Sequence, residues 1–395
     1  MPRVTPFHSR TSALCQAQNW RRWAGYLVAS SYELTHEREY HAIRSGAALI
    51  DISPLFKYRL SGPDAGRLLD RVTTRDISRC ETRRVMYTTW CDHRGKVLDD
   101  GTVQRLDGEL FRLTAADPNL LWLQDNATGL NVEILDESDA VAALALQGPT
   151  SREILNRLTV TDLSGLGYFR LTQLQLDDVA VTISRTGYTG DLGYELWVDA
   201  TNAEWLWDRL MEVGRAYGML PAGILALDQA RVEAGLPLIE VDYVSARHAL
   251  IPSQESSPYE LSLGWTVDLA KESFVGHQAL RKEKGDGTTW RFVGLQVHWR
   301  ALEEIFGQVG LPPQVPGATL RSSVPVYDGK RQIGYVTSHC WSPILKKYIA
   351  LAHLKAPYAT PGTAVMMEIT VEHRRAKAAA QVVKTPFFDP PRKRK

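Results

Sequence analysis

The segment Ser184-Arg185-Thr186-Gly187-Tyr188-Thr189-Gly190-Asp191-Leu192-Gly193-Tyr194-Glu195 constrains this chain more than any other. It places three glycines, two tyrosines and a terminal acid between two strand-like runs, Val181-Thr182-Ile183 and Leu196-Trp197-Val198. The flanking runs are β-branched or bulky, as strands require, and glycine permits backbone conformations that other residues resist. The pattern predicts a tight, rigid loop able to approach a flat ligand. Glu195, where the loop ends, could accept two parallel hydrogen bonds from the amidine-like edge of a planar heterocycle. It is the first candidate binding residue. An ordinary glycine-rich hairpin with an exposed Glu would carry the same residues.

A short repeat organises the first half. Gly62-Pro63-Asp64-Ala65-Gly66-Arg67-Leu68-Leu69-Asp70-Arg71-Val72-Thr73 is echoed by Gly148-Pro149-Thr150-Ser151-Arg152-Glu153-Ile154-Leu155-Asn156-Arg157-Leu158-Thr159, and each copy follows an apolar, strand-like segment. Proline at the first helical position needs no amide partner, so each copy reads as strand, turn, helix, and two related α+β units are expected. A chance match of a common helix-start pattern remains the alternative. Thr201 with Glu204 reads as a capping box ahead of Leu206, Leu210, Val213 and Tyr217 at helical spacing, and this helix is expected behind the glycine loop. Trp205 and Trp207 flank its stripe as packing residues. After about Trp290 come short strand-like runs, Phe292–Val297, Ile333–Val336 and Tyr348–Ala352, with a turn at Asp328-Gly329; these suggest a closing β-barrel. Pro390-Pro391-Arg392-Lys393-Arg394-Lys395 reads as a solvated basic tail.

At 395 residues with 44% hydrophobic content, two or three domains with sizeable cores are expected. Lys plus Arg (46) nearly cancels Asp plus Glu (45), which leaves no broad field for nucleic acid or an anionic membrane. Cys15, Cys80, Cys91 and Cys340 lack metal-ligand spacing, and the expectation is reduced thiols in the cytoplasm with no metal centre. No apolar run reaches the roughly 20 residues that span a bilayer.

Several motifs occur in order from about Tyr40 to about Phe388: Ile50-Asp51-Ile52-Ser53, Leu98-Asp99-Asp100, Gln147-Gly148-Pro149, the glycine loop, Leu227-Asp228 with Arg231-Val232-Glu233, Phe274-Val275-Gly276, and Thr337-Ser338 with Ser342-Pro343. Through them the chain resembles the glycine-cleavage T-protein family, which also includes tetrahydrofolate-dependent demethylases. The resemblance implies an α+β fold: a three-domain cloverleaf around a central folate channel, with two interleaved α+β domains and a C-terminal β-barrel. Its implied boundaries are 1–53 plus 140–243, 54–139 plus 244–285, the barrel at 286–388, and the tail at 389–395.

The resemblance also implies roles. Tetrahydrofolate is the expected cofactor, with Glu195, Tyr188 and Tyr87 as its binding residues; either tyrosine could equally be a hydrogen-bonded core residue. Asp100 is the expected catalytic acid facing folate and substrate, and strand alternation turns Asp99 the other way. A carboxylate there would stabilise the positive charge that develops on the attacking nitrogen. Adjacent carboxylates ending a strand on the surface are the plain alternative. Leu227 departs from the family, whose T-proteins carry an Arg at this place, and Ser53-Pro54-Leu55 and Asp92-His93-Arg94 replace its usual residues near the substrate. An altered donor is therefore expected. His93, His339 and Tyr188 are candidate proton donors and Arg94 a candidate carboxylate fork, although a loop tip for His93, a barrel edge for His339 and an exposed surface for Arg94 would explain them as well. Asp228 and Arg231, three apart on a helix, are expected to pair structurally.

The leading expectation is a tetrahydrofolate-dependent one-carbon transferase that demethylates an N-, O- or S-methylated small molecule to give 5-methyltetrahydrofolate. The alternative is an aminomethyltransferase that draws on a lipoyl carrier protein and yields 5,10-methylenetetrahydrofolate and ammonia. A third reading is a folate-binding module without transfer chemistry.

Overall fold

The computed structural model describes residues 2–395. Two sheets are built from residues 48–221, the five-stranded one inserted in sequence between the strand Ala48–Asp51 and the other five strands of the six-stranded one. One has six strands in the order Leu171–Leu176, Val179–Ser184, Gly193–Asp199, Val141–Gln147, Ala48–Asp51, Leu220–Pro221. The other has five, in the order Val85–Cys91, Val97–Asp107, Leu110–Ala115, Phe56–Ser61, Glu133–Asp136. A three-stranded sheet from the N-terminal region places Tyr26–Ser31 between Arg3–Val4 and Asn19–Trp23. The last third closes into a six-stranded barrel, which removes all free sheet edges. Its interior is filled by alternate residues such as Leu295, Val326, Val336, Ala350 and Met367.

The repeat is a real structural repeat with one correction. Each Gly-Pro forms the turn before the helix cap, so that Asp64 and Thr150 are the cap residues and each proline lies just before the cap, outside the first turn. Gly62 and Gly148 both take positive φ, +118° and +131°, and a Cβ at Gly148 would lie 2.4 Å from the Gly46 carbonyl oxygen. The equivalence extends beyond the sequence match. Asp70 accepts the Ile77 N–H at 2.9 Å as Asn156 accepts that of Leu163 at 2.9 Å, and Asp76 and Asp162 cap matching 3-10 turns. Arg84 and Arg170, which hold equivalent places, pair antiparallel with each other. Equivalent residues that pair in this way relate the two units by a local twofold axis.

The expected capping box does not form. Asp199 takes the cap role for the turn Ala200–Asn202, and the Thr201 hydroxyl donates to its Oδ1 at 2.5 Å, while Glu204 pairs with Arg10 at 3.1 Å. The helix Ala203–Gly214 still buries Leu206, Trp207 and Leu210, and it packs on Gly193–Asp199, the strand that leaves the glycine loop. Tyr217 falls beyond its end, in a 3-10 turn.

The C-terminal residues are not a solvated tail. Arg392 forms a fork with the fully buried Asp191 at 2.6 and 2.9 Å and donates to the Arg44 carbonyl at 3.2 Å. Arg185 holds the carbonyls of Arg392 and Lys393 at 3.4 and 3.2 Å. A basic run that looks solvated in one dimension is thus fixed to the glycine loop by a carboxylate that lies within that loop. Arg392→Ala should lower unfolding free energy by about 1–2 kcal/mol, less than a fully buried pair because Arg392 is 39% exposed and Asp191 retains Arg44. Urea denaturation measures it; an unchanged midpoint and slope would show that the tail is held by other contacts.

Among the described residues no helix is long and apolar enough to cross a membrane, and the four cysteines are buried and unpaired.

Candidate active site

The strand Val97–Asp107 sets two adjacent carboxylates on opposite faces. Asp99 points into the protein, fully buried, and accepts from Asn119 Nδ2 at 3.0 Å and from the backbone N–H groups of Ala116 (3.2 Å) and Asp117 (2.9 Å). Those bonds tie the strand to the turn that follows its neighbour Leu110–Ala115, a structural task. Asp100 lines a cavity of about 1400 Å³. Its Oδ2 accepts the Tyr87 hydroxyl at 2.7 Å and its Oδ1 accepts the Tyr243 hydroxyl. Burial raises the Asp100 pKa, and the hydroxyls of Tyr243 and Tyr87 pull it back by stabilising the anion. Gly101 beside it has no room for a side chain: a Cβ would lie 2.0 Å from the Thr114 carbonyl oxygen on the neighbouring strand.

Glu195 comes from the other sheet and lines the same cavity. Thr186 donates its hydroxyl to Glu195 Oε2 at 2.6 Å. Burial raises the Glu195 pKa, against the lowering effect of the Thr186 and Ser184 hydroxyls. The loop before it is built around one buried amide. Gln147 Nε2 donates to the carbonyls of Thr186 (3.2 Å) and Tyr194 (3.3 Å), while its Oε1 accepts the Thr189 hydroxyl at 2.8 Å. A Cβ on Gly187 or Gly193 would lie 2.1 or 2.2 Å from Gln147 Oε1. Close approach to Gln147 therefore requires Gly187 and Gly193, while Gly190, at φ +73°, needs the left-handed region and a Cβ there would lie 2.5 Å from Ala234 Cβ.

Tyr188 and Tyr87 also line the cavity. The Tyr188 hydroxyl donates to the Pro237 carbonyl, and the Tyr87 ring stacks on Trp265 at 5.8 Å. The three candidate substrate residues do not line it. His93 is exposed at a turn. Arg94 is a carboxylate fork as its chemistry suggests, but its partners are the protein's own Glu255, at 3.0 and 2.8 Å, and Asp92. His339 is buried within the barrel wall with Nδ1 2.6 Å from the Tyr348 hydroxyl, and burial pushes its pKa down to about 4. Asp228 and Arg231 pair at 2.8 Å.

Tyr243 is the site residue that sequence reasoning missed. It lies 143 positions from Asp100 in a segment without periodicity, and no local signal marks it. Thr186, by contrast, sits inside the loop motif, where a hydroxyl nine residues before a candidate carboxylate could have been noticed.

The comparisons with known proteins follow this geometry. Residues 7–271 match the family model of the GCVT N-terminal domain, and 308–389 match that of the glycine cleavage T-protein C-terminal barrel domain. The chain is 37% identical over 375 residues to the aminomethyltransferase of Moorella thermoacetica, covering 94% of each chain. It is 34% identical over 354 residues to that of Halothermothrix orenii, covering 89% of this chain and 90% of the relative. The crystal structure of glycine cleavage system aminomethyltransferase T from Bartonella henselae superposes with a TM-score of 0.83 over 98% of this chain and 99% of that one, at 23% identity, which speaks for the fold. The protein is an enzyme of the transferase class. It belongs to the glycine-cleavage T-protein family.

Proposed function

We propose that this enzyme transfers a one-carbon unit to tetrahydrofolate, with Glu195 binding the pterin edge and Asp100 at the point of transfer. One observation carries the reading: two half-buried carboxylates from different sheets, each held by hydroxyl donors, line a single cavity. At about 1400 Å³ the cavity exceeds the roughly 300–1,000 Å³ that suits one small ligand, and so has room for two reactants. The donor set fits the cofactor. Glu195 is an acceptor for an amidine-like edge, and the rings of Tyr188 and Trp197 line the walls.

Tetrahydrofolate, when bound, supplies the nucleophilic nitrogen that receives the carbon. Asp100 then faces the positive charge of the transfer from a half-buried position in the cavity wall, where a fixed carboxylate acts more strongly than in bulk solution. Tyr87 and Tyr243 fix the rotamer of that carboxylate and favour its ionised form against the opposing effect of burial. Tyr243→Phe should therefore move the acid limb of the kcat/KM profile to higher pH, because loss of a donor to the anion raises the Asp100 pKa further. A limb that stays in place while only the plateau falls would assign Tyr243 a different task.

The relatives' printed name, aminomethyltransferase, supports transfer of an aminomethyl group; in that reading a lipoyl carrier protein supplies it, and 5,10-methylenetetrahydrofolate and ammonia are the products. Leu227 supports the second reading, 5-methyltetrahydrofolate formation from a methylated small molecule: it lines the cavity as an uncharged residue where family T-proteins carry Arg. Anaerobic incubation with tetrahydrofolate and either aminomethyl-lipoyl carrier or a panel of methoxyarenes, methylamines and sulfonium compounds separates them by the mass of the folate product. Folate binding without turnover on any donor would favour the non-catalytic module.

A further inference from the structure

We propose that Arg21 and Arg321 form a carboxylate-binding subsite in the cavity beside Leu227, through which an acid group on one of the two reactants is recognised. The proposal rests on the transfer reading above and adds the chemistry of what the enzyme selects.

Arg21 lies on the strand Asn19–Trp23 and lines the cavity. Its Nη1 is buried and has no hydrogen-bond partner. A guanidinium N–H withdrawn from water and left unpaired is costly, and burial and the nearby Arg321 both push the Arg21 pKa down, with Asp228 opposing them. Arg321 reaches the same cavity from the segment before the barrel strand Val324–Asp328.

The carboxylates nearby are already in use. Asp228 accepts Arg321 Nε at 2.7 Å on Oδ2 and Arg231 Nε at 2.8 Å on Oδ1. Asp242 is engaged by Arg231, by the Leu238 N–H at 2.9 Å, and by the Thr337 and Ser338 hydroxyls at 2.5 and 2.7 Å. Three guanidiniums share two acids, so one positive charge is in excess and Arg21 is the member without a partner. Trp23 and Leu227 line the cavity with these residues, and apolar walls strengthen any charge-assisted bond formed there. An incoming carboxylate matches the planar fork of Arg21 and relieves its repulsion with Arg321. Leu227 thus marks a place where the family's arginine is absent from the helix while cationic groups arrive from two other elements.

Two sources can supply the carboxylate: the glutamate of the folate or an acid group on the donor. Calorimetric titration of wild type, Arg21→Met and Arg321→Met distinguishes them with four probes. These are 5-formyltetrahydrofolate, its counterpart 5-formyltetrahydropteroate that lacks the glutamate, benzoate and benzamide, the last two with and without saturating 5-formyltetrahydrofolate. If the glutamate is recognised, 5-formyltetrahydrofolate loses about tenfold or more in affinity in the variants and the pteroate form does not. If the donor is recognised, benzoate suffers that loss while benzamide and both folates are unaffected. Arg21→Lys should restore part of the affinity in either case. The proposal is overturned if neither the glutamate-bearing folate nor benzoate loses affinity in either variant. The folate reading fails separately, if 5-formyltetrahydrofolate does not bind the wild type, and the benzoate arm still reports on the subsite.

Discussion

Asp100→Asn is expected to lower kcat by about 10²–10³-fold with the donor that supports turnover, with little change in folate affinity. The side chain keeps its shape and an acceptor for one of its two tyrosines, so the fold at Gly101 and the packing of the two strands are unaffected. What disappears is the negative charge in the cavity wall where positive charge develops. Single-turnover formation of the folate product, read by mass spectrometry beside 5-formyltetrahydrofolate binding, separates chemistry from affinity. A rate within threefold of wild type would remove Asp100 from the transfer step and leave it a positioning role for Tyr87 and Tyr243.

The largest loss of stability is expected from Arg231→Met, at about 3–5 kcal/mol. The Arg231 side chain is 1% exposed and joins Asp228, Asp242 and the Ser338 hydroxyl, the last at 2.7 Å, across the contact between the helix Ile224–Glu233 and the barrel strand Arg331–Ser342. Its removal leaves Asp242 without its cation and Asp228 with Arg321 alone. Methionine fills a similar volume but satisfies neither carboxylate, and buried charge without a partner is what dominates the cost. Chemical denaturation gives the value directly. A loss below about 1 kcal/mol would mean that the network contributes little beyond its own desolvation.

The parts of this enzyme that were legible in its sequence are those in which chemistry and spacing are local. The alternation of Asp99 and Asp100 follows from the two-residue period of a strand, which sends one to backbone donors and the other to the cavity. The twofold repeat was readable because each unit begins with the same Gly-Pro turn, although the prolines lie before the cap and not inside the helix. The barrel was readable from short apolar runs separated by turns. The capping box at Thr201 failed because an acid two residues earlier, Asp199, takes the Thr201 N–H that Glu204 would accept in the box, and takes the Thr201 hydroxyl as well.

The remainder depends on which segments meet, and that is set by sheet register and by the packing of sheets against the barrel. His93, Arg94 and His339 carry suitable chemistry, yet the fold directs them to solvent, to Glu255 and to Tyr348. Tyr243 carries no distinguishing pattern, yet the fold brings its hydroxyl to Asp100. The basic C-terminal run looked solvated because nothing beside it in sequence could neutralise it; its partner, Asp191, is 201 residues away. The sequence by itself determined the glycine loop, the paired acids, the repeat and the family. The tertiary structure decided which carboxylate faces the cavity with which hydroxyls, and which arginines remain without a partner, because those outcomes are fixed by distances between strands far apart in the chain.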